Sequence, residues 1–64
     1  MKRGNFKMIK KNDKVMYVNN GESLEGIALS NPYYMVTQGE RYIDLYIKES
    51  KREISVPANL VHML

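Results

Sequence analysis

Tyrosine is the residue type best placed to act in this chain. Five of the 64 residues are tyrosine, with one phenylalanine and no tryptophan or cysteine. A tyrosine ring offers a large contact area at low entropic cost and carries a polar tip, so outward tyrosines suit a protein-contact patch. The same rings can stack on nucleobases. Several rings converging beside an acid can hold a methylated ammonium, and Asp44 between Tyr42 and Tyr46 permits that use. They can also simply brace a curved sheet. Period-2 alternation sends Tyr33, Tyr42 and Tyr46 outward, and at about 3.3 Å per strand residue Tyr42 and Tyr46 lie roughly 13 Å apart on one face. Met35 joins them as a candidate partner-contact residue.

Catalytic chemistry has little to work with. His62 is the single histidine and lies in an apolar stretch beside Val61 and Met63. A hydrogen-bonded structural histidine is expected there, since a metal site needs several converging ligands. Ser23, Ser30, Ser50 and Ser55 have no partner base in a recognisable motif, and Glu49 and Glu53 read as solvated carboxylates. The four glycines are scattered singly and form no phosphate cradle. No catalytic residue, metal or cofactor is expected.

The third candidate chemistry is electrostatic. Net charge is +3, but residues 1–14 hold six basic side chains against one acidic, whereas residues 15–64 hold four against six. Basicity therefore belongs to a leading arm, in which Lys2, Arg3, Lys7, Lys10 and Lys11 could meet phosphates or an acidic protein surface. A nucleic-acid-binding barrel ordinarily carries that charge on its folded surface. Within the arm, Phe6 and Ile9 could tuck under the body, or the whole could stay solvated. Met8 would also serve as a chain start.

These residues need elements to position them. The clearest pattern runs from Tyr42 to Pro57. Ile43, Leu45 and Ile47 alternate with Tyr42, Asp44, Tyr46 and Lys48, which gives one buried and one wet face. Glu49-Ser50-Lys51-Arg52 breaks this strand with a hairpin loop, Ile54 and Val56 resume it, and Pro57 ends it for want of a backbone donor. Upstream, Asn12-Asp13 signals a turn and Lys14 to Val18 a strand. Asn20-Gly21 then reads as a two-residue type I′ hairpin loop, pairing Tyr17 with Leu24 and Val15 with Gly26. Strict alternation would turn Ile27 and Leu29 away from Leu24's face, so a bulge near Gly26, or an irregular loop over residues 19–24, is expected to return them to the core. Tyr33 to Thr37 forms a third strand, with Val36 and Tyr34 inward and Tyr33, Met35 and Thr37 outward. Ala58-Asn59-Leu60 suits one 3₁₀ turn and Val61 to Leu64 a closing strand.

Length bounds the rest. The chain is one domain near the lower limit for independent folding, which makes an obligate partner or a homo-oligomer a natural suspicion. No apolar run approaches the roughly 18 residues of a membrane span, and no apolar segment follows the basic start as in a signal peptide. With no cysteine, a reducing, cytoplasmic setting is expected.

The order of parts resembles the SH3-like barrel superfamily, which includes SH3, Tudor and KOW-type domains. Ile54-Ser55-Val56-Pro57-Ala58-Asn59-Leu60-Val61 is similar to the end of an SH3 domain, where a strand, a proline, a 3₁₀ turn with an asparagine and a last strand follow in that order. Asp13-Lys14-Val15-Met16-Tyr17 with Glu25-Gly26-Ile27-Ala28 is similar to a KOW segment. The chain lacks the further midway glycine of that segment, and it lacks the acidic loop and paired tryptophan with which SH3 domains hold proline-rich peptides. The resemblance implies a fold and transfers no ligand.

The expectation is an all-β, five- to six-stranded antiparallel SH3-like barrel over residues 12–64, behind a basic arm of residues 1–11. Its expected role is a non-enzymatic binding module, a small regulator or accessory factor that docks a larger protein through Tyr33, Met35, Tyr42 and Tyr46. The alternative is a KOW-like nucleic-acid binder using Lys2, Arg3, Lys7, Lys10 and Lys11, and a structural subunit of an assembly is a third class.

Overall fold

A computed structural model describes residues 9–64. Six antiparallel strands and one 3₁₀ turn follow in order: β1 (Lys14–Asn19), β2 (Glu22–Ala28), β3 (Tyr33–Met35), β4 (Glu40–Ile47), β5 (Arg52–Pro57), the turn Ala58–Leu60, and β6 (Val61–Met63). The strands form one sheet in the order β3-β4-β2-β1-β6, with β5 also on β4. The sheet curls into a half-barrel of the kind compatible with an SH3-like barrel. Among the described residues no helix is long and apolar enough to cross a membrane.

β4 is the hub because its backbone is paired along both edges at once. Its two ends serve two neighbours along one edge: Glu40 to Tyr42 pair with β3, and Leu45 to Ile47 pair with β2. β5 takes the other edge from Tyr42↔Pro57 to Ile47↔Arg52. Pairing Ile47 with Arg52 makes the loop Lys48 to Lys51, one residue earlier than the polar run suggests. Lys51 adopts a left-handed φ of 57° to close it, and its N–H bonds the Ile47 carbonyl at 2.8 Å.

The β1–β2 hairpin closes where Asn-Gly predicts. Asn20 and Gly21 have φ of 53° and 82°, as a type I′ turn requires, and Tyr17 faces Leu24 while Val15 faces Gly26. The expected bulge is absent. Both ladders of β2 run unbroken through Gly26, against β1 and against β4. The inward side of β2 is Leu24, Gly26 and Ala28, and Ile27 and Leu29 stay half-buried on the outer side. Gly26 answers a different need. A Cβ there would run into the carbonyl oxygen of Tyr46, so the glycine lets two strands approach closely across the curl.

Inward positions of every strand but β3 meet in one core. Ile9, Val15, Ala28, Ile43, Leu45, Ile47, Val56 and Val61 are buried, with Tyr17, Leu24, Ile54 and Ala58 packed against them. Ile9 does tuck under the sheet. The turn behind it is pinned: Lys10 N–H bonds Asp13 Oδ2 at 2.8 Å, Lys11 N–H bonds Asn31 Oδ1 at 2.8 Å, and Asn12 N–H bonds the Ala28 carbonyl at 2.7 Å. Lys2, Arg3, Phe6 and Lys7 lie outside the described residues.

β3 corrects a second expectation. It spans three residues, and Tyr34 and Val36, expected inside, are 61% and 80% exposed, although Tyr34 pairs with Arg41 on the side away from Tyr33 and Met35. The chain turns at once through Gly39, whose φ is 69° and whose N–H bonds the Met35 carbonyl at 2.8 Å. Val36 therefore sits on a turn beyond the edge of the core. Alternation fixed the face of these residues, and the shortness of the strand leaves Tyr34 without core beneath it.

Candidate functional site

The strand register builds the site. Tyr33 pairs with Tyr42 and Tyr42 with Pro57, Asp44 pairs with Ser55, and Tyr46 pairs with both Ile27 and Glu53. Since side chains alternate, Tyr33, Met35, Tyr42, Asp44 and Tyr46 all belong to the outer face, opposite the core positions Ile43, Leu45 and Ile47. The four residues expected to contact a partner are thus brought to one side of one sheet. Tyr33 is exposed, and Met35, Tyr42 and Tyr46 are half-buried. Ile27 lies directly across from Tyr46, so each partly covers the other.

Asp44 organises the middle of this face. Its Oδ1 accepts the Tyr33 hydroxyl at 2.7 Å and the Ser55 hydroxyl at 2.7 Å. Its N–H donates to Ser30 Oγ at 3.2 Å, and its carbonyl accepts Leu29 N–H at 2.7 Å. One residue thereby ties β3, β5 and the segment after β2 to β4. The Tyr33 phenol is held above its ordinary pKa of 10.0, first by the hydrogen bond it donates to Asp44; the Ser55 hydrogen bond opposes this, and desolvation and the nearby Asp44 charge add to it. Tyr33 is consequently a neutral, oriented ring at physiological pH.

The remaining candidates fall elsewhere. Lys10 and Lys11 are exposed at the pinned turn behind Ile9, where the Lys11 N–H bonds Asn31, two residues before Tyr33, while Lys2, Arg3 and Lys7 are outside the described residues. Tyr17 faces the core and accepts Asn19 Nδ2–H at 3.0 Å. His62 is exposed on β6 opposite Met16 instead of serving inside the structure. Among the described residues no three His, Cys, Asp or Glu side chains converge as a metal site would require. An open depression lined by Glu22, Ser23, Leu24, Ile47, Glu49 and Ser50 joins the ends of two hairpins and contains none of the candidate residues.

Sequence reasoning placed Asp44 among the tyrosines and missed its grip on Tyr33 and Ser55. The pairing of Asp44 with Ser55 was readable once the four-residue hairpin loop is moved one residue earlier. The reach of Tyr33 across β3 was not, because a three-residue strand leaves almost no pattern.

No protein-family model matches the chain, and no curated protein and no solved structure matches it. The likeness to an SH3-like barrel accordingly rests on strand order and curl alone.

Proposed function

We propose that this protein is a non-enzymatic binding module, a small regulator or accessory factor that docks a larger protein through Tyr33, Met35, Tyr42 and Tyr46. The observation that carries the reading is their gathering on one face, with the Tyr33 ring fixed by Asp44. Aromatic side chains already ordered before association lose less freedom on binding, and tyrosine is the type most enriched where binding energy concentrates. Half-burial of Tyr42 and Tyr46 supports the reading, because their bodies are seated and their outer edges remain available.

Exposure of Lys10 and Lys11 beside a fastened backbone favours a second reading, in which the leading segment contacts phosphates. The described residues carry seven basic and seven acidic side chains, so the body supplies no net attraction of its own to a polyanion.

Affinity capture with nuclease treatment tests the two together. The full chain and a Tyr42→Ala/Tyr46→Ala variant, shown folded by circular dichroism, are compared. A stoichiometric protein that survives nuclease and is lost in the variant supports docking. Capture of nucleic acid alone, removed by nuclease and steeply weakened by salt, overturns it.

A further inference from the structure

The tyrosine face has a charge of its own, and the register sorts it. On β3, β4 and β5 the outer positions are Tyr33, Met35, Glu40, Tyr42, Asp44, Tyr46, Glu53, Ser55 and Pro57. Three carboxylates are interleaved with three tyrosines, and no basic side chain shares this face within those strands. Their two basic residues, Arg41 and Arg52, have the opposite parity: Arg41 pairs with Tyr34 and Arg52 with Ile47. Further across the sheet, Glu25 is already matched by Lys48 at 3.4 Å, whereas Glu40 and Glu53 are exposed without an ion-pair partner among the described residues. Lys14 shares the outer parity on β1, separated from Tyr46 by Ile27, so the described residues, balanced in total charge, concentrate their negative charge on β4 and β5, where the aromatic rings are.

From this complementarity we infer that the face takes a basic segment of a protein partner, with arginine as the preferred side chain. A guanidinium stacks on a tyrosine ring while its planar donors reach a neighbouring carboxylate, and Tyr42 with Asp44, or Tyr46 with Glu53, presents that pair. Asp44 Oδ1 is committed to two hydroxyls, and its other oxygen receives no hydrogen bond from any described residue. Lysine would gain the charge attraction and less of the stacking. The inference rests on the docking reading above and names the chemistry of the docked partner.

The test is a titration of the isotope-labelled full chain with a short peptide of alternating glycine and arginine, followed by amide chemical shifts. Equivalent glycine–lysine and glycine–glutamate peptides serve as comparisons. The expected result is a set of shifts confined to Tyr33 to Met35, Glu40 to Tyr46, Glu53 and Ser55, stronger for arginine than lysine and absent for glutamate. A Glu40→Gln/Glu53→Gln variant leaves the Asp44 node intact and should bind about fivefold more weakly, as the loss of two solvent-exposed charge pairs implies. Shifts that map elsewhere, or equal binding of the glutamate peptide, overturn the inference. So does a face already occupied without peptide, either by the chain's own leading residues (shifts there on deleting residues 1–8) or by a second copy (shifts there on dilution). If the peptide fails while the captured protein is still lost in Tyr42→Ala/Tyr46→Ala, the partner is not basic and the docking reading stands.

Discussion

At Gly26 a single missing side chain decides whether two strands can pair. The Tyr46 carbonyl occupies the space a Cβ would need, and Ile47 Cδ1 lies 3.3 Å from it. Gly26→Ala must push β2 from β4, and overpacking of this kind costs about 1–3 kcal/mol, which urea denaturation would register as a lower midpoint. Gly21 offers a contrast, since a Cβ there meets nothing and only the positive φ of 82° resists it. Asp44 and Tyr33 make the second prediction at this scale. Because the folded-state pKa of Tyr33 is raised, its bond to Asp44 stabilises the fold fully below the unfolded tyrosine pKa and is lost as pH climbs through the higher folded value. Stability should therefore fall less between neutral pH and the tyrosine range above 10.0 in Tyr33→Phe than in the wild type, and a late-titrating phenolate absorbance should vanish. An unchanged late phenolate in Tyr33→Phe would contradict the assignment.

At the scale of elements, legibility followed length. Eight-residue β4 carries enough alternation to fix both its register and its buried face, and Ile43, Leu45 and Ile47 lie where the pattern puts them. β3 has three residues on a sheet edge, too few for alternation to say whether core lies beneath its inward position, and Tyr34 and Val36 are exposed there. The bulge expected at Gly26 failed for a related reason. It assumed that Ile27 and Leu29 must enter the core, whereas the outer face gives Ile27 partial cover beneath Tyr46. These differences are measurable. Leu45 is fully buried, and Leu45→Ala should cost roughly 2–5 kcal/mol, enough to unfold a domain this small. Val36→Lys should change stability by less than about 0.5 kcal/mol. Comparable losses in the two variants would show that the turn packs against something the fold leaves unexplained.

For the whole molecule, one small core does all the holding, and Ile9 is part of it. That residue precedes every strand yet is 8% exposed, and the turn behind it is bonded to Asn31 and Ala28. Ile9→Ala should therefore cost roughly 2 kcal/mol or more, read as a fall in the thermal midpoint, whereas a purely solvated arm would lose nothing. The sequence allowed either fate for Ile9, because one isoleucine among lysines has no period. The candidate face was half legible by the same logic: Tyr42, Asp44 and Tyr46 follow from alternation, but the arrival of Tyr33 depended on how the sheet curls. Register also sets the charge of the face, by bringing the carboxylates of β4 and β5 to the tyrosine side and leaving Arg41 and Arg52 on the other.

The account stands most directly on which face meets the partner, and site-specific photo-crosslinking reads that. A benzophenone side chain replaces Tyr42 in one variant and Tyr34 in another. Tyr34 is the more exposed, at 61%, so random collisions would favour it. The account predicts a nuclease-resistant protein adduct from position 42 and little from position 34. An adduct from position 34 alone, or to nucleic acid alone, would contradict it.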